Sequence, residues 1–267
     1  MLDAVEVLSP GAWVVMILGA MLLGALLGAL GGGGSALALP LFLFVAHTDP
    51  RVAIAGSLAL VGVTSVLAAT GYFKRKQVCL VPALLFGIPA TLSAFGGGRL
   101  AGFVPSEWLI GGFATLLLGA AVMMWRRRSG GAIGQACPSW PTLQQGSLQV
   151  VVGLALGLVT GLVGAGGGFL LVPALVAIGG LTMPQAVGTS LVLISLNATA
   201  GLMGYLGTLT LPWLLIAAVT LVAAVTGKLT APFAVRLPEQ LLRRAFSVLA
   251  IGLALVLLWR VAWDAVA

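Results

Sequence analysis

Charge is what this chain has least of. Only 7% of its 267 residues are Asp, Glu, Lys or Arg, against 60% hydrophobic, and the mean hydropathy is +1.18. No water-soluble fold hides that much apolar surface, so the composition predicts an all-α, polytopic helical membrane protein. The apolar stretches are continuous rather than alternating, which disfavours a β-barrel. All six acidic residues, Asp3, Glu6, Asp49, Glu107, Glu239 and Asp264, fall at termini or in connections. With no carboxylate inside an apolar run, a carboxylate-relay proton pump and a carboxylate-held sodium site are both disfavoured. One histidine, His47, and two distant cysteines cannot assemble a zinc or copper centre. A GxxxxGK[ST] phosphate loop is absent, and neither paired carboxylates nor a Ser/His/Asp set can meet within a membrane. The expectation is therefore a protein without catalytic residues, metal or cofactor. Cys79, at the edge of an apolar run, is expected to be a small buried residue, and Cys137, in the central linker, a reduced thiol.

The formal charge of +7 does not point to nucleic acid, because the 13 Lys and Arg residues cluster at the ends of apolar runs, where membrane topology accounts for them. The first apolar stretch, from near Gly11, lacks a basic leader and a small-residue cleavage site. It is expected to be retained as a span.

What the chain has in abundance is glycine, 38 residues of it, arranged in two related clusters. The first reads Gly24-x3-Gly28-x2-Gly31-Gly32-Gly33-Gly34-Ser35-x4-Pro40. The second reads Gly157-x3-Gly161-x2-Gly164-Ala165-Gly166-Gly167-Gly168-x4-Pro173. Every partner lies 133 positions downstream without a gap, and the register continues through Ser57/Ser190, Gly71-Tyr72/Gly204-Tyr205 and Pro105/Pro238. Two such halves predict a first transmembrane repeat over 1–128, a linker over 129–146 and a second repeat over 147–267.

Apolar runs cover roughly 11–46, 52–73, 78–97, 105–125, 147–180, 185–206, 211–231 and 240–262. The first and fifth are too long for the ~20 residues that cross a bilayer, and the glycine clusters fall part-way along them. If each half crosses four times, seven cations face one side and six the other. If each long run turns back at its glycines, giving five passes per half, the split is ten against three. The biased count favours five passes, which would turn the second half over and make the repeats inverted. About eight to ten membrane segments are expected, the pieces after each cluster being short or re-entrant.

Bare glycine N–H groups at the start of a half-helix favour an anion. Gly32, Gly33, Gly34 and Ser35 from one cluster and Gly166, Gly167 and Gly168 from the other are the candidate substrate-binding residues. Ser57, Ser190 and Asn197 are added from the spans that follow; Thr64, Ser65, Thr189 and Thr199 belong to the same polar set. The competing account of these hydroxyls is interhelical hydrogen bonding, and that of the glycines is close helix packing.

The stretch from Gly161 through Gly164-Ala-Gly-Gly-Gly168 to Pro173, followed by Ala186-Val-Gly-Thr-Ser-Leu191, resembles the TauE/SafE family of membrane permeases. Gly31 to Pro40 and Ala53-Ile-Ala-Gly-Ser-Leu58 form a degenerate partner in the first half. The resemblance implies a multi-pass carrier of a bacterial inner membrane that exports sulfite or an organosulfonate. Its partners would be a small anionic substrate and the lipid bilayer. An anion channel and a non-transporting membrane scaffold or assembly factor are the alternatives. Ser35 in place of the glycine at 168, and Gly56 in place of Thr189, are the departures between the halves.

Overall fold

A computed structural model describes residues 10–30, 35, 37–45, 49–126, 137, 143–163, 168–206, 209–234 and 239–264. Helix α1 runs over Pro10–Leu30, α2 over Ala38–Pro40 passing into a π-turn at Leu41–Val45, α3 over Pro50–Lys74, α4 over Leu80–Leu100 and α5 over Ser106–Arg126. The second half follows with α6 (Leu143–Val163), α7 (Gly168–Ala177), α8 (Met183–Tyr205), α9 (Trp213–Ala234) and α10 (Glu239–Asp264). The described residues form no strand. The starts of α6, α8, α9 and α10 lie 133 positions after those of α1, α3, α4 and α5.

Local chemistry explains these starts and stops. Asp49 caps α3 by accepting a hydrogen bond from the Arg51 backbone N–H at 2.9 Å, with Pro50 preset for the first turn. Beyond the end of α3, Lys76 adopts φ 54°, a left-handed conformation that stops a helix. At the head of α8 the Gln185 side chain reaches back to accept from the Thr182 N–H at 3.1 Å. Pro40 leads directly into the π-turn, whereas Pro173 is accommodated inside α7. Helix α6 opens at Leu143, so the four residues 143–146 of the expected linker are helical.

Among the described residues, six helices, α1, α3, α4, α6, α8 and α9, are long and apolar enough to cross a membrane, and shorter apolar stretches lie in α5 (Glu107–Gly119) and α10 (Ala250–Trp259). The chain is a multi-pass membrane protein. Helices α3 and α8 are buried at the centre, while α1, α4, α6 and α9 turn residues such as Leu22, Leu92, Val151 and Leu221 outward. Such a surface suits lipid, in which all backbone hydrogen bonds must be made internally.

Packing joins the halves rather than separating them. A Cβ at Gly24 would strike the Ala223 carbonyl and one at Gly28 the Gly227 carbonyl, so α1 and α9 lie in parallel contact. At the positions 133 further on, Gly157 and Gly161 meet the carbonyls of Ala90 and Ala94, which sets α6 parallel to α4. Only glycine lets backbones approach this closely. Gly62 faces Ala198 and Gly188 faces Tyr72 and Gln77, so the two central helices α3 and α8 run antiparallel. Ile216 and Thr64 bracket α9 beside Gly56 and Gly227, making α9 parallel to α3. Leu41 lies against Gly19 and Phe42 against Gly56, so α2 leads the chain back toward the end at which α1 and α3 both begin.

These directions define two faces. Lys74, Arg75, Lys76, Arg126, Lys228, Arg243 and Arg244 lie toward one, and Arg51, Arg99 and Arg260 toward the other. Among the described residues the division is thus seven against three.

The cysteines correct the sequence reading. Cys79 and Cys137 form a disulfide, with Cα atoms 5.4 Å apart. The separation of 58 positions hid the pairing, because only the tertiary fold brings Cys137 to the head of α4, where Cys79 is buried.

Candidate functional site

Polar side chains are scarce in this interior, and α3 and α8 supply most of them. Ser57, Thr64, Ser65, Thr189, Ser190 and Asn197 are all fully buried. Thr64 and Asn197 each lie fourteen residues into their helix, about 21 Å from its start and close to mid-depth. Ser65 is one turn on from Gly62, which faces Ala198. These groups form a thin polar layer where α3 and α8 cross.

Asn197 is the distinctive member. The Thr91 hydroxyl, presented by α4, donates to Asn197 Oδ1 at 3.0 Å. In this arrangement the amide oxygen faces Thr91. The Asn197 Nδ2 is buried and has no hydrogen-bond partner, and Ser65 Oγ is in the same condition. A buried unpartnered polar group in an apolar medium costs roughly 2–7 kcal/mol, so one donor fixed in place by a neighbour is a feature that calls for a ligand.

The other hydroxyls are more ordinary. Thr64 donates to Leu60 O at 2.7 Å, Ser57 to Ile54 O at 2.7 Å and Ser190 to Val187 O at 2.9 Å, each within its own helix. Thr189 accepts from the Cys79 N–H at 3.0 Å and so closes the loop between α3 and α4. The antiparallel register of α3 and α8 separates the two serines. With Leu58 opposite Gly201 and Tyr72 opposite Gly188, Ser57 and Ser190 stand about thirteen helical positions apart, roughly 20 Å. One lies toward each face, whereas Asn197 and Thr64 share the middle.

Ser35 and Gly168, the ends of the two glycine clusters, are both buried. Gly32, Gly33, Gly34, Gly166 and Gly167 lie outside the described residues. Helix α1 closes at Leu30 before the first cluster and α6 at Val163 before the second. Each of these ends is held by a tyrosine: Tyr72 Oη donates to Gly28 O at 3.2 Å and Tyr205 Oη to Leu162 O at 3.0 Å. Such bonds satisfy carbonyls that a terminating helix leaves free.

Thr91 escaped the sequence reading. Its partner is 106 positions away, and the residue 133 beyond it is Ala224, so comparing the halves hides it. A hydroxyl two residues after Pro89 in an otherwise apolar run was the available signal. No group of three or more potential metal ligands exists among the described residues.

The family described as Sulfite exporter TauE/SafE matches over residues 16–257. The chain is similar to a "Probable membrane transporter protein" of Xylella fastidiosa strain Temecula1, with 31% identity over 243 residues covering 90% of this chain and 92% of the relative. A counterpart in strain 9a5c is 30% identical over the same length. A "Probable membrane transporter protein YdhB" of Bacillus subtilis is 26% identical over 197 residues, covering 72% and 78% of the two chains. No solved structure matches the chain significantly.

Proposed function

The chain belongs to the sulfite exporter TauE/SafE family, and on that premise we propose that it is a secondary transporter carrying a small anion, sulfite or an organosulfonate, out across a bacterial inner membrane. The observation that carries this reading is the unpartnered Asn197 Nδ2, buried at mid-depth and oriented by Thr91. Asn197 and Ser65 would donate to the anion directly. The N–H groups of Gly32 to Ser35 and Gly166 to Gly168 would complete the pocket, as helix starts do in other anion sites. Ser57 and Ser190 would line the routes from the central layer to the two faces. No covalent chemistry is required of any of them.

The symmetry of the packing supports alternating access. Gly24 against Ala223 is matched by Gly157 against Ala90, the partners having exchanged halves. This exchange, with α1 parallel to α3 and α6 antiparallel to both through α8, supports an inverted repeat in which each half can adopt the other's conformation. The cation-rich face carrying Lys74 to Lys76 would then lie in the cytoplasm. A membrane potential negative inside expels an anion by about 2.3 kcal/mol per charge per 100 mV, so export needs no coupled proton.

Purified protein reconstituted into liposomes and offered radiolabelled sulfite, sulfoacetate, thiosulfate or sulfate tests the reading. Saturable flux of at least one of these is expected, falling at least tenfold in Asn197→Ala. A rate that rises linearly with concentration and ignores the substitution refutes a binding-site carrier and favours a channel.

A further inference from the structure

We infer that Arg51 is an anion-binding residue at the mouth opposite the Lys74 face, where the substrate passes between solution and the central layer; this rests on the transport reading above. The Nε of Arg51 is buried without a hydrogen-bond partner. Its nearby carboxylate does not serve it: Asp49 is engaged as the helix cap, accepting from the Arg51 backbone N–H. The other described side-chain cation near this mouth, Arg99, is stacked over the Phe95 ring at 5.6 Å. Arg51 is therefore a partly buried cation on the face where positive charge is scarce, and it bears a desolvated donor.

Its neighbours say what that donor meets. The guanidinium lies within electrostatic reach of Tyr205, whose hydroxyl holds Leu162 O at 3.0 Å. Leu162 is the last residue but one of α6, and the second glycine cluster follows it in sequence. Arg51 thus flanks the approach to the proposed site from this side. Keeping a cation partly out of water is costly unless an anion offsets it. A guanidinium presents its N–H groups as a rigid fork that matches two oxygens of a small oxyanion, whereas an ammonium offers a point charge. Sulfite and the sulfonate group both provide such an oxygen edge. An arginine that merely snorkels to the interface would have no part in affinity.

Transport of radiolabelled sulfite in membrane vesicles of both orientations separates these accounts. For Arg51→Gln, the half-saturation constant measured from the Arg51 face is expected to rise on the order of tenfold, the loss of one charge-assisted hydrogen bond. The constant measured from the Lys74 face should change less. Arg51→Lys should fall between Gln and wild type, and it carries the test if the Gln variant fails to insert. Arg99→Gln, on the same face but stacked on Phe95, should behave as wild type. An unchanged constant in Arg51→Gln or Arg51→Lys overturns the assignment while leaving the transport reading standing. An equal rise in Arg99→Gln also overturns it, since the effect would then be diffuse charge. If another offered anion gives the saturable flux, the same comparison is made with it; absence of saturable flux of every offered anion in the wild type defeats the transport reading and the Arg51 role together.

Discussion

A single hydroxyl sets the chemistry of the central layer. Thr91 donates to one end of the Asn197 amide and so leaves the other end as an unanswered donor, the polarity an anion needs. Thr91→Val should raise the half-saturation constant about threefold, because hydrogen bonds between membrane helices average ~0.6 kcal/mol. Thr91→Ser should retain wild-type affinity. A Val variant with unaltered affinity would show that the amide needs no such orientation. Asn197 itself was legible in the sequence as a polar residue inside an apolar run, seven positions after Ser190 and therefore on the same helical face. Its distance from Ser57 was not legible, because periodicity fixes which residues share a face but not how far two antiparallel helices slide past one another. Ser57 and Ser190 looked like partners by register and instead stand toward opposite faces.

Helix positions could be read from the chain because capping and breaking residues recur at a fixed spacing, and the starts at Pro10, Pro50, Leu80 and Ser106 reappear 133 positions later. Which helices touch could not be read, since α1 finds its closest partner in α9 and α4 finds its own in α6. Glycine makes those pairs possible, and the cost of removing it differs by position. A Cβ at Gly157 would collide with the Ala90 carbonyl, while one at Gly119 meets nothing within 4 Å. Gly157→Val should therefore lose 1–3 kcal/mol or more of stability, roughly the cost of overpacking, and Gly119→Ala should be neutral. Resistance to detergent-induced unfolding provides the measurement. The disulfide offers a second handle on the elements. Cys79 and Cys137 join the head of α4 to the linker on the cation-rich face. If that face is cytoplasmic, cellular thiols should keep the pair reduced, and it should close to the bond seen here when isolated membranes are oxidised. A membrane-impermeant maleimide should then leave Cys137 unlabelled in intact cells and label it in inverted vesicles held under reducing conditions. Labelling from outside intact cells after reduction would reverse the orientation.

For the molecule as a whole, composition alone announced a helical membrane protein, while the number of passes per half rests on the distribution of positive charge. Five passes per half place seven described cations toward one face and three toward the other, a bias that four passes do not produce. An odd number per half puts the chain's ends on the face opposite the linker, so if the Lys74 face is cytoplasmic a C-terminal reporter should be exposed on the outside of the cell; a cytoplasmic signal would rule out the odd-pass arrangement. What the account asserts most broadly is a single site, at the crossing of α3 and α8, that is open to one face at a time. Counterflow tests that property directly. Liposomes loaded with unlabelled sulfite, or with whichever offered anion gives saturable flux, should take up trace labelled anion faster than empty ones and overshoot equilibrium transiently. Asn197→Ala should abolish the overshoot. Uptake that is indifferent to the internal anion would contradict alternating access to one central site.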